Sequence, residues 1–216
     1  MPSPRRIGAP DAKNRTVLLD AAEQLMLEEG YAAVTSRRVA AKAGLKPQLV
    51  HYYFRTMDEL FLEVFRRRAE EGLRVQAQAL ASPQPLRALW AYATDPAASA
   101  LTMEFTAMAN HRKEMKREIA RYAERLRVMQ NETIARLAAE HGIDTEKYPV
   151  GFLGVLVTSL SRVVGMETAL GMTEGHKETV EVVERFLRRF EGETLPETEE
   201  FAAFLSAGQA APTPQT

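Results

Sequence analysis

Apolar residues recur every three to four positions along most of the chain, and the strict alternation of a half-buried strand is nearly absent. Val17, Leu18, Ala21, Leu25 and Met26 form the first such stripe, predicting a helix from about Lys13 to Glu29 with Gly30 as its stop. Thr35 and Ser36 offer an N-cap for a short helix to Ala43, which Gly44 ends. A third helix is expected from Pro47 to about Phe54. Thr56 and Glu59 make a Thr-x-x-Glu capping box, which opens a long helix over 57–80. Beyond the break Ser82-Pro83-Gln84-Pro85, Leu86, Leu89 and Trp90 mark a fifth helix, and Asp95-Pro96 opens a sixth through Met108. The stripe Met115, Ile119, Tyr122, Leu126, Met129, Thr133 and Leu137 predicts a long helix over roughly 111–141, closed by Gly142. Pro149 opens an apolar helix to about Leu170, and Thr173 is expected to cap a last main helix through Phe190, with Val180, Val183, Leu187 and Phe190 along one face. A further short helix over 197–205 is expected in the tail.

The expected fold is therefore all-α, with about nine helices. Three short ones come first and six longer ones follow. Residues 1–12, with Pro at 2, 4 and 10 and Gly8, read as a flexible arm. Residues 13–56 form one domain and 57–192 a second, leaving 193–216 as an acidic, partly disordered tail.

Charge separates the two parts. The net charge of the chain is −1, but residues 1–56 hold nine Lys and Arg against five Asp and Glu, while the remainder holds nineteen against twenty-four. A basic head on an acidic body predicts a polyanionic partner for the head alone. The chain has no Cys, which excludes disulfides, thiolate metal sites and a Cys nucleophile. The first residues lack an apolar signal region, and the apolar run from Pro149 to Gly165, broken by Arg162, is expected to fall short of a membrane span. A cytoplasmic protein with no membrane partner is the expectation.

The head carries one odd segment, Gly44-Leu45-Lys46-Pro47-Gln48-Leu49-Val50-His51-Tyr52-Tyr53-Phe54. Two short helices joined by a Gly turn, with a third helix before them, follow the plan of a helix-turn-helix, whose second helix enters the DNA major groove. On a helix from Pro47, Val50 and Phe54 stand at i and i+4 and face inward together. Gln48 and Tyr52 share another face, flanked by Pro47 and His51. Pro47 suits the first helical position. Lys46 falls at the cap, where it accepts no hydrogen bond but can reach a phosphate. Gln48 can pair with adenine, and His51 and Tyr52 can bond phosphates or base edges.

These residues carry a resemblance. Residues 15–61 resemble the DNA-binding region of the tetracycline-repressor (TetR) family of bacterial transcription regulators. The pattern runs from Leu19-Ala21-Ala22 through Leu25, Glu29-Gly30-Tyr31, Thr35, Val39-Ala40, Ala43-Gly44-Leu45, Val50 and Tyr53-Phe54 to Asp58-Glu59-Leu60 and Phe61. The resemblance implies that Thr35 and Arg37 meet phosphates, that Lys46, Pro47, Gln48, His51 and Tyr52 face the groove, and that Tyr53 reaches the backbone. Three positions depart from the family: Lys46 for Ser or Thr, His51 for Tyr, and Met57 for a phosphate-binding Lys, for which Arg55 is placed to compensate. The resemblance further implies a homodimer formed through the last two main helices, an operator in double-stranded DNA and a small-molecule effector bound among the middle helices.

The expected function is a DNA-binding transcriptional regulator, a repressor released by a hydrophobic or amphipathic effector. The alternative is a ligand-independent DNA-binding or protein-interaction member of the same fold. The candidate effector lining is Trp90, Tyr92, Met103, Phe105, Met108, Tyr122, Leu126, Met129, Phe152, Leu156 and Ser159, with Glu104, Asn110 and His111 as polar anchors. No catalytic motif is present. His-Glu-x-x-His, P-loop, Gly-x-Gly-x-x-Gly and Gly-x-Ser-x-Gly are all missing, and the His residues at 51, 111, 141 and 176 make no metal pattern. No enzyme activity and no cofactor are expected.

Overall fold

The computed structural model describes residues 13–193, and among these every regular element is helical: α1 (Lys13–Glu29), α2 (Ser36–Lys42), α3 (Pro47–Tyr53), α4 (Met57–Ala81), α5 (Pro85–Ala93), α6 (Pro96–Ala109), α7 (Lys113–Glu140), α8 (Val150–Ala169) and α9 (His176–Glu191). A 3-10 turn over Tyr31–Ala33, which the periodicity did not predict, joins α1 to α2. The expected arm, tail and helix over 197–205 lie outside the described residues. Local chemistry sets most of the boundaries. Arg38 N–H donates to the Thr35 side chain at 3.3 Å, capping α2. Glu59 N–H donates to Thr56 Oγ1 at 3.1 Å, and the Glu59 carboxylate accepts from Arg55 N–H at 2.7 Å, a capping box displaced by one residue. The start of α9 corrects the sequence expectation. Gly175, at φ 76°, is the N-cap in place of Thr173, because a left-handed turn there delays the helix to His176.

The described residues group into two compact units. The first holds α1 to α3, α4 as far as Glu70, and Glu104–Glu118 from the ends of α6 and α7. It thus extends the expected 13–56 head with parts of three longer helices. Leu18, Met26, Val39, Val50, Phe54, Leu60, Val64, Met108 and Met115 are its largest fully buried side chains. Ion pairs tie α4 to α1: Arg15 to Glu63 at 2.5 Å, and Arg67 to Asp20 and Glu23 at 2.5 and 2.8 Å.

The second unit holds the rest of α4, α6 and α7 together with α5, α8 and α9. Ala79, Leu80, Ala88 and Leu89 form a buried cluster against which Met129 packs. A Cβ on Gly165 would lie 2.8 Å from the Ala93 carbonyl oxygen, so glycine is needed for α8 to approach α5. The buried face of α8 is Gly154, Ser161, Val164 and Gly165. By length and composition α8 is apolar enough to cross a bilayer, contrary to the sequence expectation; it nevertheless packs that small-residue face against its own unit. α9 is pinned to the start of α5: the Glu191 carboxylate accepts from Leu86 N–H at 2.7 Å and Arg87 N–H at 3.0 Å. Burial pushes the Glu191 pKa above its usual value despite these bonds.

Candidate nucleic-acid interface

α3 is short, and the residues holding it in place differ from those it displays. Val50 and Phe54 are each 1% exposed and lock it into the first unit. Its N-cap Lys46 makes no side-chain capping bond, as the Lys chemistry required. That omission costs local stability on the order of 1 kcal/mol relative to Ser or Thr, and leaves the ammonium free. Lys46, Pro47, Gln48, His51 and Tyr52 are all exposed. They fall on one side of the helix, with the Tyr52 ring propped edge-on against Tyr53 at 5.0 Å between centroids.

Tyr53 itself is buried, at 9% exposure, so it serves first as packing. Thr35 is exposed, but its hydroxyl is already engaged as the α2 cap. Arg37 is exposed beside it, while Arg38 pairs with Glu29 and Lys42 with Glu28 at 2.7 Å. Among the described residues Arg37, Lys46 and Arg55 carry no ion pair. The head therefore neutralises Arg38 and Lys42 internally and leaves Arg37, Lys46 and Arg55, in or next to α2 and α3 in sequence, available to a phosphate backbone and its counterions.

Behind this face lies a brace that the sequence did not reveal. The Glu104 carboxylate, expected as an effector anchor, accepts from Tyr31 N–H at 2.6 Å and so holds the 3-10 turn. Arg112 pairs with Asp58 at 2.7 Å and lies over the rings of Tyr31 and Phe61, at 5.8 and 5.5 Å. Phe105 packs edge-to-face on Phe65 with centroids 5.2 Å apart. The only sequence signal for any of this was a run of mixed charges near 111–118, which is equally consistent with a solvated face.

The expected effector lining does not gather in one place. Phe105 and Met108 belong to the core of the first unit. Phe152, Leu156 and Ser159 lie on the exposed face of α8. Met129 joins the Ala79–Leu89 cluster, and Tyr122 is covered by the guanidinium groups of Arg121 and Arg125, at 4.5 and 5.1 Å. Trp90, Tyr92, Met103 and Leu126 remain half-buried in the second unit, Tyr92 with its hydroxyl close against Gly72. Of the other anchors, Asn110 and His111 are exposed.

Comparison with known proteins agrees with the fold and with the head. Residues 18–64 match the family model described as bacterial regulatory proteins, tetR family. An HTH-type transcriptional repressor, BepR, of Brucella suis is 30% identical over 141 residues, which span 61% of this chain and 66% of that repressor. The crystal structure of a TetR-family regulator from Rhodococcus superposes with a TM-score of 0.67 at 14% identity, covering 83% of this chain and all of that one. FadR of Bacillus subtilis, solved in complex with stearoyl-CoA, superposes with a TM-score of 0.63 at 13% identity, covering 83% of this chain and 99% of that one.

Proposed function

The chain belongs to the TetR family of bacterial transcription regulators, and from that premise we propose that it is a homodimeric repressor released from its operator by an amphipathic small molecule. The observation that carries the DNA-binding part is the exposed side of α3. Lys46, Gln48, His51 and Tyr52 are exposed on a helix whose opposite side is buried, with Arg37 and Arg55, which carry no ion pair among the described residues, close by in sequence. Gln48 reads a base edge, Lys46, Arg37 and Arg55 hold phosphates, and His51 and Tyr52 do either.

The dimer is supported by α8 and α9. Phe152, Val155, Leu156, Val163 and Met166 on α8, Leu170 at its C-cap, and Val182 and Phe186 on α9 are large apolar side chains left exposed. An apolar face this long fits a second copy of the same helices. Two heads on a two-fold axis then read half-sites about one DNA turn apart, roughly 34–36 Å. The ligand part is supported by a neighbour of the same fold, FadR of Bacillus subtilis, which was solved with stearoyl-CoA, and by the half-buried aromatic and Met side chains of the second unit. An effector acts by binding the DNA-incompatible arrangement better than the competent one. Footprinting the purified dimer on the DNA upstream of its own coding sequence tests this reading. A symmetric protected site, lost on adding a long-chain acyl compound, is expected. Protection that no ligand relieves would favour the ligand-independent alternative.

A further inference from the structure

A polar cluster lies inside the second unit where an apolar helical core would be expected. Gln130 of α7 donates its side-chain N–H to the Gln76 side chain of α4 at 3.1 Å, and both are buried. Thr158 Oγ1 of α8 lies 3.4 Å from Gln130 Oε1 and also donates to the Gly154 carbonyl. Arg127, one turn before Gln130 and Asn131, donates to Thr158 Oγ1 at 2.8 Å and to the Gly154 carbonyl. Its half-buried guanidinium is thus met only by neutral oxygens. One turn beyond Thr158 stands Arg162, which has no hydrogen bond and no ion pair among the described residues. It is exposed on α8, yet protein crowds its guanidinium enough to lower its pKa, and the nearby Arg127 charge lowers it further. Asn131 Oδ1 is buried without a donor.

Arg127 meets no carboxylate among the described residues and bonds only the Gly154 carbonyl and the Thr158 hydroxyl, so a half-buried positive charge is left uncompensated, and Arg162 adds a second charge one turn beyond Thr158. Such a charge is costly until an anion arrives, and guanidinium is the side chain best suited to hold an oxyanion. Gln76, Gln130 and Asn131 add amide groups that can bond the same ligand or its ester oxygen. Leu126 and Met129 on α7 and Leu153 and Val157 on α8 are half-buried neighbours in sequence, so the remainder of a ligand would meet apolar surface.

We propose that Arg127 and Arg162 form the anion-binding end of the effector site, and that the effector is an amphipathic molecule with a single anionic head. This rests on the effector reading above and specifies its chemistry. The test uses the full chain and three ten-carbon probes of matched length, each below its micelle concentration: decanoate, decanol and decyltrimethylammonium, with decyl sulfate as a second anion. Binding is followed by calorimetry and by release of operator DNA. The expected result is that both anions bind and release DNA, and that Arg162→Gln and Arg127→Met each weaken decanoate at least tenfold while leaving helicity, dimerisation and operator affinity in the absence of ligand unchanged. Decanol binding and releasing DNA as well as decanoate would overturn the anion assignment and leave the effector reading standing. Failure of every probe to bind would overturn both. An Arg162 variant that loses the dimer but keeps full decanoate affinity would place that charge at the subunit interface and also overturn the assignment.

Discussion

The exposed sides of α3 and α8 make opposite surfaces from the same kind of element. α3 is seven residues long and, with its N-cap Lys46, presents Gln48, His51 and Tyr52 to solvent; α8 is twenty residues long and presents Phe152, Val155, Val163 and Met166. Each is anchored by the residues opposite: Val50 and Phe54 for α3, Gly154, Ser161, Val164 and Gly165 for α8. Polar exposed groups stay solvated until a charged partner displaces their water and counterions. Apolar exposed groups drive association by leaving water altogether. On the proposed reading, the polar surface suits DNA and the apolar one suits a second copy of the chain.

The sharpest way to break the comparison is to remove an anchor. Phe54→Ala empties a fully buried site and should cost about 3–5 kcal/mol, seen as a lower denaturation midpoint together with lost DNA binding. An unchanged midpoint would mean that α3 is not held by its buried side. The next largest effect should come from α8. Phe152→Lys places a charge in the exposed apolar stripe and should weaken the dimer on the order of a hundredfold by sedimentation, about 2.7 kcal/mol, with helicity retained. A variant that stays dimeric at the same concentrations would remove α8 from the interface.

Changes on the exposed side of α3 should be smaller and confined to DNA. Gln48→Ala should leave the denaturation midpoint within the ±0.5 kcal/mol of an ordinary surface change and cost about 1–3 kcal/mol of discrimination at one base pair. Equal losses on all duplexes would assign Gln48 to the backbone. The smallest expected effect is one of pH. The Glu191 carboxyl has a raised pKa in the folded protein, so between its ordinary and its raised value the folded state binds more protons than the unfolded one. Stability contributed by this group is therefore full below its unfolded pKa and falls as pH rises through the folded one. Glu191→Gln should flatten that slope across the mildly acidic range in thermal unfolding; a parallel curve would show that Glu191 does not titrate there.

The sequence was most legible where structure is local. Thr35, Thr56, Glu59, Gly44 and Gly142 marked helix ends because caps and positive-φ glycines act on their own few residues. α9 was placed two residues early because Thr173 looked like a cap, while Gly175 supplied the actual one. The exposed side of α3 could be read because Val50 and Phe54 fix its orientation through helical spacing. The interior of the second unit could not. Met and aromatic residues signal burial but not which neighbour they bury against, and so Phe105 and Met108 fell to the first unit, while Phe152 and Leu156 turned outward. Glu104 and Arg112 meet Tyr31 and Asp58 across more than fifty residues, and no periodicity records such pairings.

The most direct test of the central claim is a salt titration of the wild-type dimer, and of Lys46→Ala, on a duplex from its own upstream region and on a scrambled duplex of equal length. The account predicts selective binding to the upstream duplex, with affinity falling steeply as salt rises and with a log–log slope smaller for Lys46→Ala by about one per head engaged. Equal affinity for both duplexes, or a slope that Lys46→Ala leaves unchanged, would contradict the assignment of α3 as the reading helix.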